Sequence, residues 1–551
     1  MIPNDHPAPP EFTGIWRDDF RARAMYAEGA GIYRVIPRAI AIPATTRALQ
    51  ALLAWAQETR TPLIPRGAGS AMSGSSVGNG VIVDCTALDG AALVIDPERK
   101  RARTGPGTTI GALNESAGRA GLRMPVEPSS ARWATAGGVL ATNASGAASV
   151  AFGSVRAWVD GITVLAGNGE LLTLRRSELL ASEGIPARFG RSLAPRIRAE
   201  SSRISSAFPR VRKNSSGYAL DQYLASGDLL DLIVGSEGTL GFITSAVWRL
   251  APVPAARLGL RAALRQPDDL ARLVPALLGL APSAVEFLDA TFLRFVADDL
   301  AKVPDGSVLA RAGAVLMVEL EGDDLGDLDR RLDLAHGIVA DASLGVSLAR
   351  DAREAESLWE IRHAASPRLA ALGDGRRSLQ VIEDGVVPVA QLAEYLTLVR
   401  AAATSRGVEV VLFGHAGDGN VHANLLVDLS RPDYLEQMEG VFREVTRGLL
   451  TLGGSPSGEH GDGRLRGGTL EQVYGPELIG LFRELKALFD PEGILNPDTK
   501  LGADAPFERL KVGDGAEPLP PDLEQALRRI ERGAGYVWDR LAIADDVPGV
   551  A

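Results

Sequence analysis

The stretch PRGAGSAMSG, residues 65–74, places three glycines and two serines directly after a short apolar run. Residues 48–61, ALQALLAWAQETRT, have the periodicity of an amphipathic helix, and PLIPRG at 62–67 follows as a predicted strand. Glycine permits positive φ and carries no Cβ, so successive amides of such a loop can converge on phosphate oxygens. The stretch therefore predicts an α+β segment whose loop backbone faces a ligand.

Two further glycine-rich stretches lie in the same half of the chain, EPSSARWATAGGVLATNASG at 127–146 and VGSEGTLGFIT at 234–244. One such loop is common in any α/β protein, but three in one segment indicate a bound cofactor with phosphates. None has the strand–GxGxxG–helix order with a later acidic residue, so a Rossmann NAD site is not supported. Between the loops, three β-branched runs predict strands: VIVDC (81–85), ITVLA (162–166) and DLIVG (231–235).

Composition narrows the class of protein. The 551 residues are 46% hydrophobic and 23% charged, which is typical of a globular protein of two or three domains. A net charge of −11 argues against a nucleic-acid partner. The single cysteine, Cys85, excludes disulfides within the chain and four-cysteine clusters, and we expect it to be buried. No signal peptide or transmembrane run is evident, so we expect a cytoplasmic protein, free or peripheral to the membrane.

The order of motifs predicts five segments. They are a lead-in (1–35) with a helical piece near 18–28, a cofactor domain (36–252), a second α/β or ferredoxin-like domain (253–452), a glycine-rich C-terminal segment (453–505) and a tail (506–551) with a helix at 522–531. The boundary is set by the proline-containing APVPAAR at 251–257. The predicted strands of the second domain lie near 258–264, 284–290, 312–321, 345–350, 378–387, 408–416 and 421–428.

The last two of these strands carry histidines in FGHAGDGNVHANLL, residues 413–426. With GDGN as a four-residue hairpin connection, His415 faces His422 and Ala416 faces Val421. Opposed Cβ atoms lie roughly 5 Å apart, so two imidazoles there can share a divalent metal, with Asn424 on the same face. The alternative is a plain hairpin whose histidines stack on each other or face solvent.

A second segment favours the metal interpretation. GGSPSGEHGDGR, residues 453–464, contains Glu459 and His460 side by side among glycines. Adjacent side chains on extended backbone point to opposite sides. Glu459 can therefore complete a His/His/Glu metal site while His460 faces a substrate.

Taken together, these motifs resemble a known family. The three glycine-rich loops resemble the PCMH-type FAD-binding domain of the vanillyl-alcohol-oxidase superfamily. GHAGDGNVHANLL, SGEHGDGRLR and FDPEGILNPDTK resemble FAD-linked D-2-hydroxy-acid dehydrogenases, as do LWEIRHAASPRLA (358–370) and QVIEDGVVPVAQLAEYL (380–396). The resemblance runs from about residue 30 to 502. It implies an FAD domain, an α/β (ferredoxin-like) substrate or cap domain, and a C-terminal segment that returns to the flavin.

The resemblance also implies which residues bind the cofactor. The pyrophosphate would lie on the first loop, at Arg66, Gly67, Ala68, Gly69, Ser70, Ser73 and Gly74. The phosphates and the isoalloxazine would lie on the second, at Pro128, Ser129, Thr135, Gly138, Asn143, Ser145 and Gly146. Ile243 would line the adenine side, and Asn496 would approach the flavin from the C-terminal segment. Some members tether FAD through a histidine in the first loop; this loop has none, so the FAD is expected to be non-covalent.

By the same resemblance His415, His422 and Glu459 bind a divalent metal, for which we expect Zn, with Mn or Fe as alternatives. His460 would be the catalytic base, and Arg362 and Asn424 would hold the substrate. Arginine suits a carboxylate because it offers two parallel hydrogen bonds, although Arg362 is also explained as an ion-pair partner of Glu360 or Asp384. The implied reaction is oxidation of a D-2-hydroxy acid such as D-lactate or D-2-hydroxyglutarate, with hydride transfer to flavin N5.

Two departures from the family bear on this expectation. The large relatives continue into a cysteine-rich region that is absent here, so electrons are expected to pass to a separate quinone, electron-transfer protein or iron–sulfur subunit. The shorter hydroxyglutarate enzymes carry a lysine near the IEDG segment, where this chain has Ile382.

A homodimer is a further expected partner state. In KNSSGYALDQYL (213–224), Lys213 and Tyr218 receive no role.

Three other functions are compatible with parts of the pattern. A metal-dependent hydrolase would use the His/His/Glu set with an activated water, but leaves the glycine loops unexplained. A non-redox flavin lyase or synthase of the same superfamily would use the loops, and a non-catalytic flavin subunit would leave the histidines without a role.

Overall fold

The computed structural model describes residues 8–9, 11–303, 305–364, 368–369, 372, 375–502, 505–533 and 539–546. Part of the LWEIRHAASPRLA motif, residues 365–367 and 370, lies outside these ranges. The strands are β1 Gly14–Arg17, β2 Ala39–Pro43, β3 Leu63–Arg66, β4 Val81–Asp84, β5 Leu93–Asp96, β6 Arg101–Thr104, β7 Leu122–Arg123, β8 Val159–Ala166, β9 Leu171–Arg175, β10 Gly241–Arg249, β11 Ala251–Pro252, β12 Ala256–Leu264, β13 Ala284–Asp289, β14 Ala314–Gly322, β15 Ser343–Ala349, β16 Arg376–Leu379, β17 Gly385–Val386, β18 Glu409–His415 and β19 Asn420–Asp428.

Helices connect and cover these strands. They are Phe20–Tyr26, Thr46–Thr59, Ile110–Gly118, Ala136–Thr142, Ser149–Phe152, Gly184–Ala199, Ser201–Ala207, Leu220–Ser226, Leu230–Ile233, Leu270–Leu278, Ala290–Phe295, Ala297–Leu300, Gly306–Leu309, Leu325–Val339, Ala352–His363, Leu392–Thr404, Tyr434–Thr451, Gly463–Arg466, Leu470–Phe489, Pro521–Arg532 and Arg540–Asp545. Among the described helices, none has both the length and the apolar character needed to cross a bilayer.

The first glycine loop begins where strand β3 ends. This strand belongs to a small mixed sheet with the strand order β1-β2-β4-β3. Strands β2, β4 and β3 are parallel, and β1 pairs antiparallel with β2. The predicted helix at 48–61 is confirmed as Thr46–Thr59, and its apolar face, with Leu49 and Leu53, packs on this sheet. Cys85 is buried in the same core, as expected.

A second sheet, β5-β6-β10-β8-β9, is antiparallel, and the third glycine-rich stretch leads into its central strand β10. The runs at 81–85 and 162–166 are strands as predicted. The prediction for DLIVG is wrong, because Leu230–Ile233 is a single helical turn. Its Asp231 carboxylate accepts hydrogen bonds from Arg176 and Arg156, at 2.6 and 3.1 Å. A short apolar run is compatible with either state, and these buried ion pairs anchor the helical one.

The second half forms one antiparallel sheet, in the order β15-β12-β14-β13-β18-β19-β16 with β17 also on β19. The predicted strands correspond closely, with one exception. The strand predicted at 378–387 is two short strands, Arg376–Leu379 and Gly385–Val386. The turn between them carries Glu383 and Asp384, whose buried carboxylates bind side chains and amides of the glycine-rich segment, as described below.

Two segments from the second half of the described chain pack on the cofactor half. Leu478, Phe482 and Leu485 of helix Leu470–Phe489 pack into the core of the second sheet, so the C-terminal segment does return as expected. Within the described residues, the predicted lead-in and tail form one cluster, in which Leu523, Leu527 and Leu541 pack on Met25 and Tyr26.

Candidate active site

The histidine hairpin has a different register from the one predicted. Phe413 lies opposite His422 and His415 lies opposite Asn420, so the prediction that His415 directly faces His422 is wrong. The connection is residues 416–419, a 3-10 turn closed by Gly419 at φ +72°, rather than GDGN at 417–420. Glycine takes this left-handed conformation at the fourth loop position, which leaves Asn420 free to begin the strand.

The two imidazoles meet nevertheless, because they are diagonal neighbours on one face of the sheet. Their Nε2 atoms are 3.2 Å apart, and the rings are edge to face with centroids 5.0 Å apart. Both histidines are buried. The alternative of solvent-facing histidines is therefore excluded by the structure.

Glu459 completes the group. Its Oε1 lies 3.2 Å from His415 Nε2 and 3.4 Å from His422 Nε2. The three ligand atoms all lie within 4.8 Å of one another. Each Nδ1 is occupied elsewhere, that of His415 by Glu286 at 2.5 Å and that of His422 by the carbonyl of Glu383 at 2.9 Å. Two imidazole Nε2 atoms and one carboxylate, each backed by a second partner, fit a zinc-type ion.

His460 lies beside this group and is more accessible, with 27% of its side chain exposed. Its ring stacks on His422 with centroids 5.3 Å apart, and its Nδ1 is 2.5 Å from Glu383 Oε2. Burial opposes the charged imidazolium, but the carboxylates of Glu383 and Asp384 outweigh it and raise the pKa of His460 to about 10. These carboxylates therefore favour the charged imidazolium form of His460.

The IEDG turn supports both Glu459 and His460. Asp384 Oδ2 accepts the backbone amides of Glu459 and His460, at 2.9 and 2.7 Å, and the hydroxyl of Ser457 at 2.8 Å. Glu383 is paired with the buried Arg466 as well as with His460. Sequence reasoning considered Asp384 only as an ion-pair partner of Arg362 and gave Glu383 no role, although two adjacent carboxylates inside an apolar predicted strand were a usable signal.

Arg362 comes from helix Ala352–His363. Its Nε donates to Glu286 Oε2 at 3.1 Å, and its guanidinium lies over the Phe413 ring, 4.6 Å from the centroid. The alternative pairing with Glu360 or Asp384 is wrong, because the partner is Glu286. Asn424 is buried on the same face as His422, and its Oδ1 accepts a hydrogen bond from Ser378 at 3.2 Å.

Two charged residues that sequence reasoning missed complete the site. Glu286 is wholly buried on β13 between His415 and Arg362. Lys213 is 2% exposed, and its Nζ lies 2.9 Å from Glu459 Oε2. Ser145 also donates to that oxygen at 2.6 Å, so the hydroxyl expected at the cofactor is bound to Glu459 instead.

The first and second glycine loops are in contact, as a shared cofactor cradle requires. A Cβ on Gly67 would lie 2.3 Å from Thr135 Oγ1. Thr135 caps helix Ala136–Thr142 by accepting the Gly138 amide. Ser73 Oγ donates to the carbonyl of His460 at 3.1 Å, which joins this cradle to the active-site loop.

Several predicted cofactor residues support the cradle with their side chains rather than facing it. Arg66 is buried, and its guanidinium donates to the carbonyls of Tyr26, Glu28 and Ser76, while its contact with the pyrophosphate stays a prediction. Asn143 ends its helix at φ +53° and accepts from Ser154, and the Asn496 amide donates to the carbonyls of Ser75 and Glu237. Gly74 packs on the Tyr33 ring, and Gly146 packs on the Glu127 carbonyl.

The remaining predicted cofactor residues lie where the loops are open or on the adjoining sheet. Ala68, Ser70 and Pro128 are half-buried, Ser129 is exposed, Gly69 is buried over the Arg66 guanidinium, and Ile243 is buried on β10. Binding of phosphates by the backbone amides of Ala68 and Ser70 stays a prediction.

Comparison with known sequences supports the predicted family. Residues 37–175 match the FAD binding domain and residues 254–499 match the C-terminal domain of FAD linked oxidases. The chain is 30% identical over 494 residues to glycolate oxidase subunit GlcD of Bacillus subtilis, covering 89% of this chain and 94% of that protein. The chain belongs to the FAD-linked oxidase family. This FAD-linked oxidase is also 30% identical to a D-lactate dehydrogenase of Archaeoglobus fulgidus, over 84% of this chain and 92% of that one.

Other relatives are longer or share the fold alone. The FAD-linked oxidase is 28% identical to D-2-hydroxyglutarate dehydrogenase of Escherichia coli, across 94% of this chain and 54% of the relative, so it spans about half of that protein. The structure of 4-ethylphenol oxidase from Gulosibacter chungangensis superposes with a TM-score of 0.62 at 15% identity, covering 88% of this chain and 94% of that one. That of alkyldihydroxyacetonephosphate synthase superposes with a TM-score of 0.60 at 16% identity, covering 88% and 83%.

Proposed function

We propose that this FAD-linked oxidase oxidises a D-2-hydroxy acid to the 2-oxo acid. In this proposal His415, His422 and Glu459 hold a divalent ion, zinc in the first instance, and FAD is bound non-covalently. The observation that carries it is the convergence of three ligand atoms within 4.8 Å, next to a histidine whose loop is hydrogen-bonded to the glycine cradle. The relatives named for glycolate, D-lactate and D-2-hydroxyglutarate support the same substrate class.

When bound, FAD supplies a two-electron acceptor and the ion supplies a Lewis acid that lowers the pKa of the substrate hydroxyl. His460 accepts the hydroxyl proton at Nε2, because Glu383 occupies its Nδ1. For this step His460 must be neutral, whereas its carboxylate neighbours favour the charged form. A divalent ion held by His415, His422 and Glu459 would favour the neutral, proton-accepting form of His460, because Glu459 Oε1 is 3.7 Å from His460 Nε2.

Arg362 would bind the substrate carboxylate. Because its Nε is committed to Glu286, the terminal nitrogens are the ones that can pair with an incoming carboxylate. The Phe413 ring beneath the guanidinium restricts its orientation further. Asn424 would contact the substrate from the strand that carries His422. The roles of these residues, like the cofactor roles of the glycine loops, remain predictions.

The electron acceptor is proposed to be a separate quinone, electron-transfer protein or iron–sulfur subunit. A cytoplasmic location and a homodimer are also predictions. The hydrolase alternative leaves family membership unexplained, and the synthase shares the fold at only 16% identity.

Anaerobic mixing of the purified, metal-loaded protein with a panel of D- and L-2-hydroxy acids tests the proposal. We expect one or more D-acids to bleach the flavin absorbance near 450 nm. His460→Ala should retain FAD and bleach at least about a hundredfold more slowly, which is the usual contribution of a general base. Absence of bleaching with every acid, or bleaching of His460→Ala at the wild-type rate, would contradict the proposal.

A further inference from the structure

Glu286 joins two parts of the site that the proposed function treats separately. It lies on β13 and has no exposed surface. Its Oε1 is 2.5 Å from His415 Nδ1, and its Oε2 is 3.1 Å from Arg362 Nε. One carboxylate is thus shared between a proposed metal ligand and the proposed substrate arginine.

The first contact determines which nitrogen of His415 can bind an ion. Because the carboxylate accepts the Nδ1 proton, the Nε2 lone pair is left facing His422 and Glu459. A carboxylate behind a ligating histidine also fixes the plane of the ring and raises its basicity. Loss of such a partner typically weakens metal binding 10–100-fold.

The second contact holds a long, flexible side chain in one place. Arg362 is bound at Nε and lies over Phe413, and its side chain is 13% exposed. Within the part of the chain that the structure describes, its terminal nitrogens have no hydrogen-bond partner. The guanidinium is held through Nε, and its terminal nitrogens stay open to a ligand. Because the side chain is already fixed, less conformational entropy is lost when a carboxylate binds.

We propose that Glu286 is a positioning residue that couples metal binding to recognition of the substrate carboxylate, by holding His415 and Arg362 at a constant separation. The inference rests on the proposed function. A 2-hydroxy acid presents its hydroxyl and carboxylate on adjacent carbons, so the distance between the ion and the guanidinium must be held constant. A carboxylate bound to both ends satisfies that requirement.

Two substitutions test it, because each breaks one property of the shared carboxylate. Glu286→Gln keeps the size but replaces one acceptor oxygen by a donor, so it can satisfy only one of its partners. Glu286→Asp keeps the charge but is shorter by one methylene, so it cannot reach both, and it guards against a folding defect in the first variant. Glu319→Gln is the control, since Glu319 is a buried carboxylate on the neighbouring strand β14 whose contacts are with Ser283 and Arg257 rather than with His415 or Arg362.

The first measurement is the affinity of the metal-free holoprotein for Zn²⁺, by competition with a chromophoric chelator and without substrate. The second is kcat and KM for the best D-2-hydroxy acid. We expect both Glu286 variants to bind Zn²⁺ 10–100-fold more weakly. At saturating Zn²⁺ we expect KM to rise at least about tenfold with a smaller change in kcat, and the control to match the wild type.

A double substitution distinguishes an effect of Glu286 that acts through Arg362 from a general loss of structure at the site. If Glu286 acts on KM through Arg362, Glu286→Gln should raise KM much less in an Arg362→Gln background than in the wild type. Equal effects in both backgrounds, or wild-type Zn²⁺ affinity and KM in Glu286→Asp, would overturn the role of Glu286. Wild-type protein that binds Zn²⁺ but reduces its flavin with no 2-hydroxy acid would overturn the proposed function instead, and the Zn²⁺ measurement would still decide whether Glu286 positions His415.

Discussion

Glu319 is a buried carboxylate outside the site, with 12% of its side chain exposed. The Ser283 hydroxyl donates to it at 3.3 Å, and the nearest cation, Arg257, is 3.7 Å away. Burial is the largest effect and raises the pKa of Glu319 to about 7, from 4.5. A carboxyl with a raised folded-state pKa holds its proton more tightly when folded. The free energy of unfolding therefore falls as pH rises from 4.5 to about 7, by about 3 kcal/mol at most.

Glu319→Gln should remove this fall in the free energy of unfolding with rising pH. We expect the variant to match the wild type near pH 5 and to have a higher free energy of unfolding at pH 8, measured by urea denaturation. Glu321→Gln is the matched control, because Glu321 lies two residues along the same strand and pairs with Arg123 at 2.7 Å. It should lower stability at pH 8. If the free energy of unfolding of Glu319→Gln differed from that of the wild type by the same amount at pH 5 and pH 8, the prediction would be contradicted.

The ion pair between Lys213 and Glu459 leads to a second prediction for a single residue. Lys213→Met leaves Glu459 as a buried carboxylate without its ammonium partner, and breaking such a pair costs about 3–5 kcal/mol. Because a divalent ion supplies compensating charge, saturating Zn²⁺ should raise Tm more in the variant than in the wild type. Arg212→Met is the control, since Arg212 is 46% exposed and pairs with Asp418 at 3.3 Å. It should cost about 1 kcal/mol or less. Equal Zn²⁺-induced shifts in Lys213→Met and wild type would count against a role beside the ion.

Residue types could be predicted from the sequence where the local context was unusual. His415 and His422 flank a glycine-rich turn, Glu459 and His460 lie in a glycine-rich loop, and the structure brings all four together. Glu286 lies in an apolar strand, where a lone acid has no local signature. Its partner His415 is 129 residues away, and a contact at that distance cannot be inferred from periodicity.

At the scale of elements, the turn between β18 and β19 sets the geometry of the histidines. Gly419 has φ +72°, and a Cβ there would lie 2.1 Å from the Val387 carbonyl oxygen. Gly419→Ala should therefore displace the turn and weaken Zn²⁺ binding as well as lower stability. Gly407→Ala is the control, because Gly407 has φ +69° with no atom within 4 Å of an added Cβ. It should cost only the left-handed strain, about 1–2 kcal/mol, with Zn²⁺ affinity unchanged. Unchanged Zn²⁺ affinity in Gly419→Ala would contradict this assignment.

Most elements could be predicted because their apolar periodicity is local. The strands of the second domain fall within a few residues of their predicted positions. The hairpin register could not be predicted, because Asp-Gly and Gly-Asn turns are both acceptable in AGDGN and contact with Val387 selects between them. The break between β16 and β17 was missed for a related reason, since Glu383 and Asp384 turn away to partners far along the chain.

For the molecule as a whole, the tail contributes to the fold of the cofactor half. Leu527 is 3% exposed and packs with Met25 and Tyr26. Leu527→Ala should lower the free energy of unfolding by about 2–5 kcal/mol, as for other buried leucines. Leu179→Ala, at a leucine that is 98% exposed, should change it by less than about 0.5 kcal/mol. Similar urea midpoints for the two variants would show that the tail is not part of the cooperative unit.

The sequence predicted the composition of the segments better than their arrangement. The sequence indicates a separate tail because proline and glycine interrupt it after Pro506, with one predicted helix at 522–531. In the structure the apolar face of that helix packs on helix Phe20–Tyr26, and Arg528 pairs with Glu28. Contacts between segments that lie far apart in the sequence leave no trace in local patterning, so only the structure shows them.

The pairing of Ser145 with Glu459, described above, has a consequence for biosynthesis. The two residues are 314 positions apart. At a translation rate of ~5–20 residues per second, roughly 15 to 60 s separate their emergence from the ribosome. During that interval the cofactor half must remain soluble without its Glu459 loop and without the C-terminal helix that fills its core. We therefore expect the core of the cofactor half to be completed only after the Glu459 loop and the C-terminal helix have been synthesised.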